Sequence, residues 1–179
     1  MGGLHDMLRL DGGRDLLGRL RAASLTGCLL LLGCATVRVP PFGIREGQLA
    51  ECPAKRACVS SQSRDPQHRI APIPYHTERR EARLDLIRVV RTFDNAKIVS
   101  NHRHYLRVEF PSTAVKSLDK SEYYFEPDAA VDDVEFYLPP GDRVIQVRAA
   151  ARLGVMDSGE NRQRIEHIRR LFEYLQQRH

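Results

Sequence analysis

Between Val131 and Arg170 the chain gathers carboxylates, guanidinium groups and an amide at spacings that can bring them together. Asp133 and Glu135 stand two residues apart, so on a strand they share a face. Arg148 and Arg152 share a face in the same way if the second strand continues past Ala149. Asn161 and Arg162 stand where a helix begins, next to Asp157. Paired carboxylates can act as general acid and base, and arginine forks can clamp an anionic group. The free N–H groups of a helix start also favour an anion. The bland alternative for the same residues is an ion-pair network locking helix to hairpin, because charges near a core pair in order to be tolerated.

The elements that must position these residues are legible. In Val131 to Leu138 the side chains of Val134, Phe136 and Leu138 fall on one face and those of Asp133, Glu135 and Tyr137 on the other. Pro139 to Asp142 supplies a turn. Val144 to Ala149 returns with Ile145, Val147 and Ala149 inward and Gln146 and Arg148 outward. Antiparallel pairing then sets Asp133 and Glu135 beside Arg148 or Arg152. Ala149 to Ala151 permit close approach of another element, and Gly154 permits a bend. The closing helix begins near Ser158, a candidate cap, and carries the apolar stripe Ile165, Ile168, Leu171, Phe172, Leu175. Arg162–Glu166 and Arg169–Glu173 are at helical neighbour spacing.

An earlier helix follows Thr77, its candidate cap, with Ala82, Leu86, Val90 and Phe93 at helical spacing. Arg79, Arg83, Asp85 and Arg88 form its polar stripe, read as solvated. Lys97 to Asn101 and Tyr105 to Phe110 read as a hairpin around His102-Arg103-His104; the two histidines could bind a metal, and the reading favoured is that both are solvated. Glu122 to Phe125 is a candidate short strand or edge cover. The whole predicts an α+β domain: an antiparallel sheet of four or five strands with two helices packed on one face.

The chain has 179 residues, with 42% hydrophobic and 28% charged side chains, enough for one packed domain of ordinary size. Its formal net charge is +5, and arginines alternate with acids nearly everywhere. Such interleaving tolerates anionic lipid but gives no basic stripe for nucleic acid, which is excluded as a partner.

Arg14, Arg19 and Arg21 precede the apolar run Ala22 to Leu32. A positive segment followed by a short apolar run is a secretory signal, and this run is too short to span a bilayer. Its end, Leu31-Leu32-Gly33-Cys34, resembles a bacterial lipobox. Residues 1–33 are therefore expected to be a lipoprotein signal peptide and Cys34 the lipidated first residue. Cys28, after Leu25-Thr26-Gly27, is the rival, but would leave Leu29 to Leu32 exposed. Met7 is an alternative start to Met1. Ala35 rather than Asp after Cys34 implies, by the same resemblance, an outer-membrane location facing the periplasm. Residues 34–51, with Pro40, Pro41, Gly43 and Gly47, read as a tether and residues 52–179 as a single domain.

An exported chain sits where disulfides persist, so Cys52 and Cys58 are expected to be bonded. A metal site with His68 and His76 is the sharper alternative, but its spacing fits no zinc pattern. No metal or cofactor is expected. Ser60, Ser61, Asp65 and His68 invite a hydrolase reading. They lack a nucleophile elbow, and such residues in an irregular loop commonly bond the backbone and shape turns. Pro66, Pro72 and Pro74 hold that loop extended over the domain.

Five motifs occur together: Cys58-Val-Ser-Ser-Gln62; Asp65, His68, Ile70 and Pro72; Asp132-Asp-Val-Glu-Phe136; Arg148, Arg152 and Gly154; and Asn161-Arg-Gln-Arg-Ile-Glu166. In combination, from Cys52 to Phe172, the chain resembles the bacterial and plastid family called domain of unknown function 1499. It departs from the family pattern at Ala150, where members commonly have serine, and in an expanded Ser112 to Val131 segment. The missing hydroxyl weakens a catalytic reading. The resemblance implies no settled activity, and often an exported or membrane-attached protein.

Two functions follow. One is a lipid-anchored, non-catalytic envelope module whose partners are membrane lipid and an unidentified envelope protein or small ligand. The other is an enzyme or small anionic ligand binder using Asp133, Glu135, Arg148, Arg152, Asn161 and Arg162. The anchor, the tether and the lack of an activated nucleophile favour the first, and no residue is assigned a catalytic role.

Overall fold

The period-two alternation around Val134 and Val147 builds a sheet, and the helical stripes cover one side of it. The computed structural model describes residues 42–53, 57–112, 131–152 and 159–178, all within the compact unit Pro40–His179. In chain order the elements are β1 (Ile44–Arg45), β2 (Gln48–Leu49), β3 (Cys58–Ser60), β4 (Ile73–Pro74), α1 (Arg79–Val90), β5 (Lys97–His102), β6 (Tyr105–Pro111), β7 (Val131–Tyr137), β8 (Val144–Ala151) and α2 (Glu160–Gln176). The candidate short strand or edge cover at Glu122 to Phe125 and the bend at Gly154 lie outside the described residues, as do Cys28 and Cys34. Among the described residues, no helix is long and apolar enough to cross a membrane.

The fold is α+β, as expected, but the strand count is higher than four or five. Among the described residues the main sheet has six strands, in the order β3-β8-β7-β6-β5 with β4 also on β8, and β1-β2 form a separate ribbon. All pairings between these strands are antiparallel. The uncounted strands come from the segment that reads as an irregular cover. β3 and β4 are three and two residues long, too short for alternation to show. They divide one edge of β8 between them: Cys58 pairs with Ala150, and Ile73 with Ile145. At the far side of the sheet, the β5–β6 register shifts between Ile98 and Ser100, a bulge.

One apolar core forms from Leu106, Val108 and Phe110 of β6, Val134 and Phe136 of β7, and Ile145, Val147 and Ala149 of β8. Ala82, Leu86 and Val90 of α1 and Ile165, Ile168 and Phe172 of α2 complete it. Both helices thus cover the same face. Full burial of each large apolar side chain contributes about 1.5–3 kcal/mol.

Both helix starts differ from expectation. Glu78, not Thr77, occupies the cap of α1, with no side-chain bond. The Thr77 hydroxyl instead donates to Oε1 of Gln176 at 3.2 Å. α2 is capped by Gly159 at φ +90°, a backbone suited to glycine; Ser158 lies outside the described residues. Asp85 corrects the solvated-stripe reading of α1. It is fully buried, accepting from Nε2 of Gln176 at 2.8 Å and pairing with Arg88. A carboxylate survives burial only with such donors, and these come from the far end of α2 and the next turn of α1.

Candidate functional site

The register of β6, β7 and β8 sets charges in rows on the sheet face opposite the helices. Arg107, Glu135 and Arg148 are Cα partners in one row, and Glu109, Asp133 and Ala150 in the next. Opposite charges facing each other across strands attract. Glu135 and Arg148 join at 2.8 Å with neither side chain exposed. Arg152 grips Asp133 with two bonds, Nε to Oδ2 at 2.7 Å and Nη2 to Oδ1 at 2.9 Å, and its Nη2 also reaches Glu109. The carboxylates hold the Arg152 guanidinium more firmly protonated than usual, Asp133 contributing most, against the opposing effect of burial. Arg107 adds a 3.2 Å bond to Asp133.

A strap covers this face. Residues 42–51, which read as the end of a tether, fold onto the body instead. Glu46 and Gly47 turn the β1–β2 ribbon with φ +52° and +76°, the pattern of a two-residue hairpin. The Gly43 N–H donates to Oε1 of Glu135 at 2.8 Å. The Tyr105 hydroxyl donates to the same oxygen at 2.7 Å; burial first, and the Glu135 carboxylate second, raise its pKa, so it stays protonated. Phe42 lies under the Arg107 guanidinium, 4.3 Å from centroid to Cζ. Leu49 packs with Tyr105 and Tyr137, flanked by Ile44. Sequence reasoning missed the strap and Tyr105. The signal was present: Glu46-Gly47 between the apolar residues Ile44 and Leu49.

Arg148 is incompletely satisfied. Its Nε and Nη2 are buried without a hydrogen-bond partner among the described residues. Arg148 also helps line a void with Phe42, Pro53, Asp133, Ala150, Ala151 and Arg152 that is too small to admit a water molecule.

Of the six candidate residues, Asp133, Glu135, Arg148 and Arg152 meet and the other two do not. Asn161 is buried on the helix side, where its Oδ1 accepts from Arg164 at 2.7 Å and its Nδ2 donates to the Ala57 carbonyl at 3.4 Å. Arg162 reaches out to the Gln67 carbonyl at 3.1 Å. The helix start thus ties down loops rather than joining the charge cluster. Arg164, which sequence reasoning passed over, pairs instead with Asp132 at 2.8 Å. Burial raises the Asp132 carboxyl pKa above its ordinary value despite that cation. Arg169 pairs with Glu166 at 3.0 Å rather than with Glu173.

Cys52 and Cys58 are disulfide-bonded, so neither offers a thiolate to a metal. The motif around them builds the strap's seat. The Gln62 side chain accepts from the Leu49 N–H at 2.8 Å. The Ser61 hydroxyl donates to Gln146 at 2.7 Å and accepts from the Val147 N–H at 2.8 Å. His68 bonds the Cys58 carbonyl through Nδ1 at 2.7 Å, which puts its proton there. Ser60 accepts from the Gln62 N–H at 3.2 Å. These polar side chains bind backbone and one another, as expected for turn-shaping residues.

An antiparallel sheet with helices on one face and a strapped charge network on the other defines an α+β domain of a particular kind. The family described as Protein of unknown function (DUF1499) matches residues 48–172, and the chain belongs to it. No curated protein and no solved structure matches the chain.

Proposed function

We propose that this protein is a lipid-anchored module of the bacterial cell envelope, attached through Cys34 to the outer membrane and facing the periplasm. It acts as a non-catalytic binding or structural domain. The observation that carries this reading is the strap. Of the carboxylates and guanidinium groups that could have done chemistry, Asp133, Glu135 and Arg148 are buried, and the strap is fastened to this face with Glu135 holding the Gly43 N–H. The cluster serves as a clasp for the segment that arrives from the anchor. Eight residues of chain from Cys34 to Phe42 reach at most about 28 Å, so a clasped strap keeps the body close to the bilayer. The disulfide suits an oxidising compartment, and several acyl chains anchor stably.

The test is palmitate labelling and fractionation of the native host. The label should enter the wild type and Cys28→Ala but not Cys34→Ala, and the labelled chain should sediment with outer membranes. An unlabelled, cytoplasmic chain retaining residues 1–33 overturns the reading.

A second reading, a small anionic ligand held by Asp133, Glu135, Arg148 and Arg152, is favoured by the two unpartnered donors of Arg148. It requires the strap to lift. Native mass spectrometry of chain purified from membranes should then show a bound anion that is absent from a folded Arg152→Ala variant.

A further inference from the structure

A cleft of about 470 Å³ opens between the first turns of α1 and the β5–β6 turn, lined by Glu78, Arg79, Arg80, Arg83 and Arg103. Four cations face one carboxylate. That carboxylate already has a cation outside the lining, since Glu78 lies 3.7 Å from Arg143. The side chains of Arg79, Arg80 and Arg103 make no hydrogen bond or ion pair among the described residues. Arg83 is committed, but to neutral acceptors. Its Nε donates to the His102 carbonyl at 3.0 Å, and it also bonds the Asn101 side chain. Those bonds tie the hairpin turn to the helix and leave the charge of Arg83 uncompensated. Arg152, Arg164 and Arg169 each sit on a carboxylate, whereas among the described residues none of the four arginines of the cleft does.

A concave wall on which one sign of charge predominates, here four guanidinium groups against one carboxylate, focuses the field and concentrates counter-ions. Guanidinium forks match the geometry of phosphate oxygens. The cleft's size is that of a small-molecule site rather than a bare-ion site, and among the described residues no apolar one lines it. The geometry points to a binding site for a phosphate-bearing group in this cleft, with Arg80 and Arg103 as adaptable clamps and Arg83 as the strut that sets their spacing. The shared chemistry is a phosphoryl anion, carried by a soluble small molecule or by a lipid headgroup. It does not depend on the anchor at Cys34 or on the charge cluster beneath the strap.

The experiment uses the full chain in detergent with inorganic pyrophosphate as the soluble probe, measured by calorimetry at low salt. A second arm measures retention on phosphatidylglycerol vesicles against phosphatidylcholine vesicles. Arg80→Gln/Arg103→Gln is the test variant; neither side chain is bonded within the described structure, so the fold should persist. Arg45→Gln/Arg170→Gln removes the same charge elsewhere. Binding should weaken by about tenfold or more in the test variant and stay within about twofold in the control. Pyrophosphate binding without vesicle selectivity assigns the site to a soluble anion. Selective vesicle binding that pyrophosphate competes away assigns it to a headgroup. Absence of both, or equal losses in the two variants, overturns the proposal.

Discussion

Glu135 and Arg148 are Cα partners on adjacent strands, and their side chains meet at 2.8 Å with no solvent exposure. Such a pair costs desolvation on both sides, so its net stabilisation is small while its integrity matters greatly. Glu135→Ala or Arg148→Ala should each lower stability by about 3–5 kcal/mol, because the remaining charge is left buried. Glu135→Leu/Arg148→Met should cost less than either single change. Urea titration of the four proteins checks the ordering; additive losses would refute it.

The disulfide should matter most to the strap. Closing so short a loop stabilises by roughly 2 kcal/mol on the chain-entropy model. In Cys52→Ser/Cys58→Ser, the amides of Gly43 and Leu49 should lose hydrogen-exchange protection while those of Val134 and Phe136 keep theirs. Uniform loss across the sheet would show that the link supports the whole body instead.

Gln176 should be worth more than an ordinary residue near a chain end. Its amide donates to buried Asp85 at 2.8 Å, and its carbonyl accepts from the His76 N–H and the Thr77 hydroxyl, both at 3.2 Å. Gln176→Leu should therefore cost about 1–3 kcal/mol, read as a fall in denaturation midpoint. Adding Asp85→Leu should recover part of that loss, and no recovery would deny the coupling.

Asp132 gives a pH dependence with a defined sign. Burial raises its carboxyl above the ordinary 3.8, outweighing Arg164, so the folded chain holds that proton more tightly than the unfolded chain. Its stabilising contribution is complete below 3.8 and is lost as pH rises through the raised folded value. Relative to Asp132→Asn, the wild type should gain stability as pH falls from neutrality toward 3.8. Paired denaturation curves at the two ends of that range test this, and a flat or opposite difference would contradict it.

What the sequence disclosed followed from periodicity. The alternation at Val134, Phe136 and Leu138 fixed which face of β7 is apolar, and so which face carries Asp133 and Glu135. The parity of Arg148 and Arg152 then brought four of six candidate residues together. Asn161 and Arg162 failed because the phase of a helix against a sheet is set by distant packing, not by the spacing of its own residues. Asp85 failed for a related reason: its burial depends on Gln176, 91 residues away. β3 and β4 hid because strands so short carry no period, and the strap hid because proline and glycine around it mimic a linker.

Lys97 opens β5, the strand at the far side of the sheet, and the bulge between Ile98 and Ser100 interrupts its ladder. A charged and broken border is a poor template for a strand from a second molecule. Among the described residues this margin of the sheet has no further strand on it, and it is thus built against amyloid-like stacking, a safeguard that matters wherever many copies are crowded together.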